Sequence, residues 1–193
     1  MQKVPNPKLD LFVLRGFLDS ETCLALIERI DERRRPSEIA DDIGVAGFRT
    51  SETCDLDSSD PLVAEVDRKL TGLLGIPASY GEPIQGQRYA PGQEFKPHLD
   101  WFAPGSAAWQ REKAFGGQRA VTAMVYLNTV GEGGETDFPE LDIAISPGAG
   151  TLIVWNNADE SGQLNPRTIH AGNPVIRGTK YIVTRWYRTQ PWR

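Results

Sequence analysis

The sequence predicts an α+β chain that is mainly β: a jelly roll (double-stranded β-helix) with N-terminal helices packed on the sheet. Three observations carry that expectation. Most of the 19 glycines and 14 prolines fall beyond residue 75 and punctuate short apolar runs, the texture of a sandwich or barrel. The first 75 residues instead contain two stretches with helical period. Helices followed by a run of strands suit helices laid on the back of one sheet.

The elements follow in order. Residues 9–14 read as a short strand. A helix over 21–35 has Asp19 and Ser20 as N-cap candidates and an apolar face of Cys23, Leu24, Ile27 and Ile30; Pro36 stops it. A second helix starts with Asp60 as N-cap and Pro61 in its first turn. Its stripe is Leu62, Val66, Leu70, Leu73 and Leu74, and Gly75 ends it. Strands are expected near 83–90, 94–100, 119–128, 142–146, 150–155, 167–171 and 180–188, closing on themselves as a jelly roll or related barrel. Two stretches, 101–118 and 156–166, are long enough to be functional loops.

Composition narrows the function classes. At 193 residues the chain has the length of one ordinary domain. Its 21 Lys and Arg against 26 Asp and Glu leave a net charge of −5, the wrong sign for a nucleic-acid or anionic-membrane binder. The basic run Arg33-Arg34-Arg35 sits where cations complement a helix C-terminus. Two cysteines, Cys23 and Cys54, exclude a disulfide scaffold, and Cys23 reads as a core residue. No secretory-signal pattern and no membrane-length apolar run occur, so a soluble cytoplasmic protein is expected.

Only two histidines are present, His98 and His170, so imidazole is scarce. In Lys96-Pro97-His98-Leu99-Asp100, a strand would send His98 and Asp100 to the same face. His170 ends an extended run, and a hairpin centred on Val175 would set it opposite Lys180, with Ile182, Thr184 and Trp186 on the same face. Two histidines and one carboxylate leave open positions on an octahedral metal, the ligand set of non-haem Fe(II) oxygenases. A closed four-ligand zinc site lacks a fourth Cys or His, although a three-ligand catalytic zinc is compatible with these residue types. A buried Lys180 beside such a site would clamp a carboxylate. The acidic, Gly-rich stretch 131–137 lacks calcium-loop spacing and reads as a turn.

Four segments, QRYAPGQEFKPHLDWF (87–102), GGQRAVTAMVYLNTVGEGGETDFP (116–139), ISPGAGTLIVWNN (145–157) and NPRTIHAGNPVIRGTKYIVTRWYR (165–188), together with the looser FRTSE (48–52), resemble the Fe(II)/2-oxoglutarate-dependent dioxygenases of the prolyl 4-hydroxylase-like family. The resemblance implies His98, Asp100 and His170 as iron ligands. It implies Lys180, with Tyr89 and Thr184, as the partner of the distal carboxylate of 2-oxoglutarate. Arg49, Arg119, Trp186 and Glu82 would lie near the substrate; for Arg49 and Arg119 a solvated surface position is the alternative. Tyr89 would come beside His98 through a turn near 91–94, and Met124 and Tyr126 would wall the site. One oxygenase domain over 1–193 is expected, with 1–80 as helical support and 81–190 as catalytic core. The activity implied is hydroxylation of an unactivated C–H, with Fe(II), 2-oxoglutarate and O2, ascorbate as reductant, and succinate and CO2 as co-products. The substrate would be a prolyl residue in a peptide or protein, or with the same chemistry a free amino acid or small molecule. A silent binding module of the same fold is the remaining alternative. Trp101, Phe102 and Trp109, in a stretch particular to this chain, either cover a substrate or fasten the loop.

Overall fold

The computed structural model describes residues 1–38, 47–159 and 161–192. Outside them lie 39–46 of the expected helical support, residue 160 of the 156–166 loop, and residue 193.

Both expected helices form. α1 (Ser20–Arg33) is capped by Asp19, whose carboxylate accepts from the Thr22 amide, and α2 (Pro61–Leu74) by Asp60, which accepts from the Leu62 amide. Gly75 closes α2 at φ 67°, in the left-handed region a glycine enters without steric cost. α1 buries Cys23, Leu26 and Ile30, whereas Leu24 is exposed. The 3.6-residue period explains that correction: 23, 26, 27 and 30 share a face, and 24 is turned from it.

Among the described residues, the large sheet runs in the order Gln2–Lys3, Leu11–Leu14, Thr151–Asn156, Arg119–Tyr126, Lys180–Arg188, Gln85–Tyr89, Glu52–Asp55 and Arg35–Pro36, antiparallel throughout. A smaller sheet orders Ile143–Ile145, Thr136–Phe138, His170–Gly172 and Phe95–His98. The two remain separate rather than closing into a barrel, and the large sheet keeps short edge strands.

Alternation sorts the side chains of the large sheet. Ala123, Val125, Leu152, Val154 and Val183 join the buried faces of α1 and α2 in one core. Their neighbours Met124, Tyr126, Ile153, Trp155 and Ile182 point the other way and pack with Phe138 of the small sheet. Helices thus cover one face, while the other, facing the small sheet, is left for a cavity.

The structure corrects three connections. The hairpin centred on Val175 does not form: His170 pairs with His98 in the small sheet, and Lys180 pairs with Tyr89 in the large one. Val175–Arg177 instead pairs with Glu132–Gly133, and Gly178 at φ 101° turns the chain into the large sheet. The turn near 91–94 likewise carries the chain between sheets, so the strands of Tyr89 and His98 are not neighbours. Of the expected strand 167–171, Pro166–Thr168 is a 3-10 turn held by the Asn165 side chain, and the strand starts at His170.

Candidate active site

Between the sheets lies a cavity of about 50 Å3 whose walls include His98, Asp100, His170, Tyr89, Lys180, Thr184, Arg49 and Trp186. The failed hairpin is therefore immaterial to the site. Facing sheets bring His170 and Lys180 to one space that a shared hairpin would have flanked.

His98 closes the strand Phe95–His98, and its ring stacks on Phe95 at 3.5 Å between centroids. Asp100 lies just past that strand and is buried. His170, opposite His98 in register, is wedged edge-on against Trp155 at 4.8 Å. Each imidazole Nδ1 lies 2.8 Å from a main-chain carbonyl, Lys96 for His98 and Thr168 for His170. A carbonyl can only accept, so Nδ1 of each ring carries a hydrogen, which leaves Nε2 as the nitrogen that could offer a lone pair to an ion. His170 Nε2 stands 3.9 Å from Asp100 Oδ2, too far for a hydrogen bond, and one donor atom from each of His98, Asp100 and His170 lies within 4.8 Å of the others. Three donors that converge without bonding one another are a fit for a shared ion, and two imidazoles with one carboxylate suit Fe(II) with positions left open.

The local electrostatics agree with ligation. Burial, then His170, push His98 down to about 3, so its ring is neutral near pH 7. Burial acts to raise the Asp100 carboxyl. The two histidines, Arg119 and the Thr122 hydroxyl outweigh it and hold the group below the ordinary carboxylate range.

Across the cavity, Lys180 is 2% exposed, its Nζ above the rings of Tyr89 (5.1 Å) and Tyr126 (5.6 Å). Burial lowers it to about 7, with Glu135 opposing. Among the described residues no carboxylate comes within ion-pair distance of it, so an incoming anion would supply the missing charge. Thr184 shares Lys180's face, and its hydroxyl meets Gln87 Oε1 at 3.1 Å. Burial raises the Tyr89 phenol. Met124 lines the cavity as expected, whereas Tyr126 does not. The Tyr126 hydroxyl is occupied at 2.6 Å by Thr136 and at 2.8 Å by the Ile145 carbonyl.

Arg49, His98, Asp100 and Trp186 also line an adjoining groove of about 610 Å3, with Arg119, Trp101 and Phe102. Neither arginine is the solvated alternative. Arg49 reaches Ser51 and Thr53 and lies over Phe95 at 4.9 Å. Arg119 makes a two-pronged bond to Glu82 at 2.6 and 2.8 Å while stacking on Trp186 at 3.9 Å. Glu82 itself is buried behind Arg119, where Arg188 also pairs with it, and does not line the groove. Phe102 is buried under Arg119 and Arg188, with its backbone bracketed by the Gln118 amide, so it fastens the loop. Trp101 lines the groove. A short helix α3 (Ala107–Glu112) occupies the middle of this loop.

Two buried side chains behind Asp100, Thr122 and Asn157, went unnoticed in the sequence. Thr122 stands two residues before Met124 on one strand and so shares its face, which is a readable signal. The role of Asn157 depends on cross-strand pairing, which carries no local mark.

Comparison with known proteins agrees with this geometry. The family model described as 2OG-Fe(II) oxygenase superfamily matches residues 84–188. Prolyl 4-hydroxylase 2 of Arabidopsis thaliana is 32% identical over 95% of this chain and 69% of its own length; prolyl 4-hydroxylase 1 of the same plant is 32% identical over 92% and 68%. The solved structure of a viral collagen prolyl hydroxylase from Paramecium Bursaria Chlorella virus-1, in complex with 2OG, superposes with a TM-score of 0.70 at 30% identity, covering 91% of this chain and 94% of that one. With the matched stretch containing the His98–Asp100–His170 cluster and Lys180, and the plant likeness running almost end to end, the chain belongs to the prolyl 4-hydroxylase family of 2OG-Fe(II) oxygenases, oxidoreductases that use Fe(II), 2-oxoglutarate and O2.

Proposed function

We propose that this chain hydroxylates a prolyl residue within a peptide or protein, with Fe(II) held by His98, Asp100 and His170. The observation that carries the reading is one cavity with these donors on one wall and on the other Lys180, which makes no ion pair among the described residues. Bound iron and 2-oxoglutarate supply O2 activation coupled to decarboxylation, releasing succinate and CO2. The chain's residues bind and orient. Lys180, with Tyr89 and Thr184, takes the distal carboxylate of 2-oxoglutarate and so points its keto-acid end toward the histidines. Met124, Trp155 and Ile182 present apolar surface that keeps water from the reacting centre.

Arg49, Arg119 and Trp186 hold the substrate at the mouth of the cavity, and Glu82 fixes Arg119 rather than touching substrate. The open groove beside the metal cluster favours an extended peptide over a free amino acid, which a closed pocket would suit better. Relatives named prolyl 4-hydroxylase and collagen prolyl hydroxylase support the choice of proline. We assign residues 1–193 to one oxygenase domain, because Leu11–Leu14 and Glu52–Asp55 hydrogen-bond into the same sheet as the later strands. Two free buried cysteines accord with a reducing, cytoplasmic setting.

The test is succinate formation from 2-oxoglutarate with Fe(II) and a proline-containing peptide, with and without ascorbate. The parent should turn over, and His98→Ala should not. Equal succinate from both proteins overturns the ligand assignment, and lack of any stimulation by ascorbate removes it as reductant.

A further inference from the structure

We propose that Thr122 and Asn157 are positioning residues for the metal site, a two-member hydrogen-bond relay that aims the Asp100 carboxylate at the ion. The inference rests on the reading that His98, Asp100 and His170 hold a metal, and it extends that site to two residues beyond the ligands. Thr122 Oγ1 lies 2.6 Å from Asp100 Oδ2, and Asn157 Nδ2 lies 2.8 Å from Thr122 Oγ1. Thr122 and Asn157 are both 0% exposed, so water does not compete for these bonds.

The direction of the relay follows from its chemistry. An amide N–H can only donate, so Asn157 uses a lone pair of the Thr122 hydroxyl. The one hydroxyl hydrogen is then left for Asp100, and it bonds Oδ2, the oxygen nearer His170. The Thr122 rotor is thereby locked, and the carboxylate is held at a set angle before any metal arrives. Asn157 is itself anchored by its backbone, its N–H to the Ala120 carbonyl at 2.7 Å and its carbonyl to the Asn165 N–H at 2.9 Å. Its Oδ1 is buried with no partner among the described residues. A side chain kept only for packing would avoid that penalty. Asn157 tolerates it, and the service its amide performs is the donation to Thr122.

Bonds behind a ligating group commonly set metal affinity by about 10- to 100-fold. The test measures Co(II) affinity and the visible absorption band of the Co(II)-loaded protein, without turnover, for the parent, Thr122→Val, Thr122→Ser and Asn157→Ala. Thr122→Val preserves shape and removes the donor, so binding should weaken by about 10-fold or more with an altered band. Thr122→Ser should restore both, and Asn157→Ala should fall between. Thermal melting confirms that each variant is folded; if Thr122→Val is not, Asn157→Ala against Thr122→Ser decides. Affinity within twofold of the parent for every folded relay variant overturns the relay. A parent that binds no Co(II) would instead defeat the metal-site reading itself.

Discussion

At the scale of single residues, the site depends on constraint more than on residue type. Carbonyls two residues upstream orient both imidazoles through Nδ1, and Asp100 is held by Thr122. Replacing His98, Asp100 or His170 by Ala should lower iron-dependent turnover by more than about 100-fold, beyond what loss of a supporting bond does; a steady-state succinate assay checks this. Lys180→Ala should weaken 2-oxoglutarate binding by about 10- to 100-fold, the value of a charge-assisted bond in a buried site. Titration adds a sharper expectation. Lys180 sits near 7 in the free protein because burial disfavours its charge, and a bound carboxylate restores that charge. Binding therefore takes up a proton above pH 7: affinity should be flat below about 7 and fall with rising pH until the higher pKa of the complex is passed. Calorimetric titration of 2-oxoglutarate from pH 6 to 9 reads this directly, and a flat profile in the parent would remove Lys180 as the charged partner. These residues were legible in the sequence because histidine is scarce, His98 and Asp100 lie two apart, and the surrounding segments are long. Glu82 was legible as a participant but not as the buried anchor of Arg119, since that role exists only once Arg119 and Arg188 converge on it.

At the scale of elements, capping and period explain what could be read, and cross-sheet pairing explains what could not. Asp60, Pro61 and Gly75 marked α2 to the residue because each acts locally. The strands Glu132–Gly133, Thr136–Phe138 and Val175–Arg177 went unanticipated, being two or three residues long and held by distant partners rather than by any pattern of their own. Val175 looked like a hairpin centre because turn residues flank it, yet turn chemistry does not say which sheet the next strand joins. Packing between elements offers a separate test. Gly86 lies under Ile30, so that even one added carbon would meet Ile30 Cγ1 and Cδ1 and push α1 off the sheet. Gly86→Ala should cost about 1–3 kcal/mol, lowering the melting temperature by roughly 2–12 °C. Paired with Ile30→Ala, the loss should be smaller than the sum of the two single losses, because the second change removes the clash. Differential scanning calorimetry of the four proteins checks both statements.

At the scale of the whole molecule, the large sheet does two jobs with its two faces. One packs on α1 and α2, and the other supplies Tyr89, Lys180 and Thr184 to a cavity whose metal donors come from the small sheet and the turn beyond it. Such a site should bind tightly only when the sheets are correctly apposed, so ligands and fold are linked. Fe(II) with 2-oxoglutarate at about 100 times the dissociation constant should add about 2.7 kcal/mol to stability under anaerobic conditions, and His170→Ala should lose that gain. The groove beside the cavity carries the substrate reading, and there one measurement is most direct: mass spectrometry and succinate quantification in parallel, under air, across proline-containing peptides and free amino acids. One or more peptides should gain a single oxygen on proline, in step with succinate, while free proline should not. Oxygen gained by a free amino acid, with every peptide unchanged, would contradict that reading.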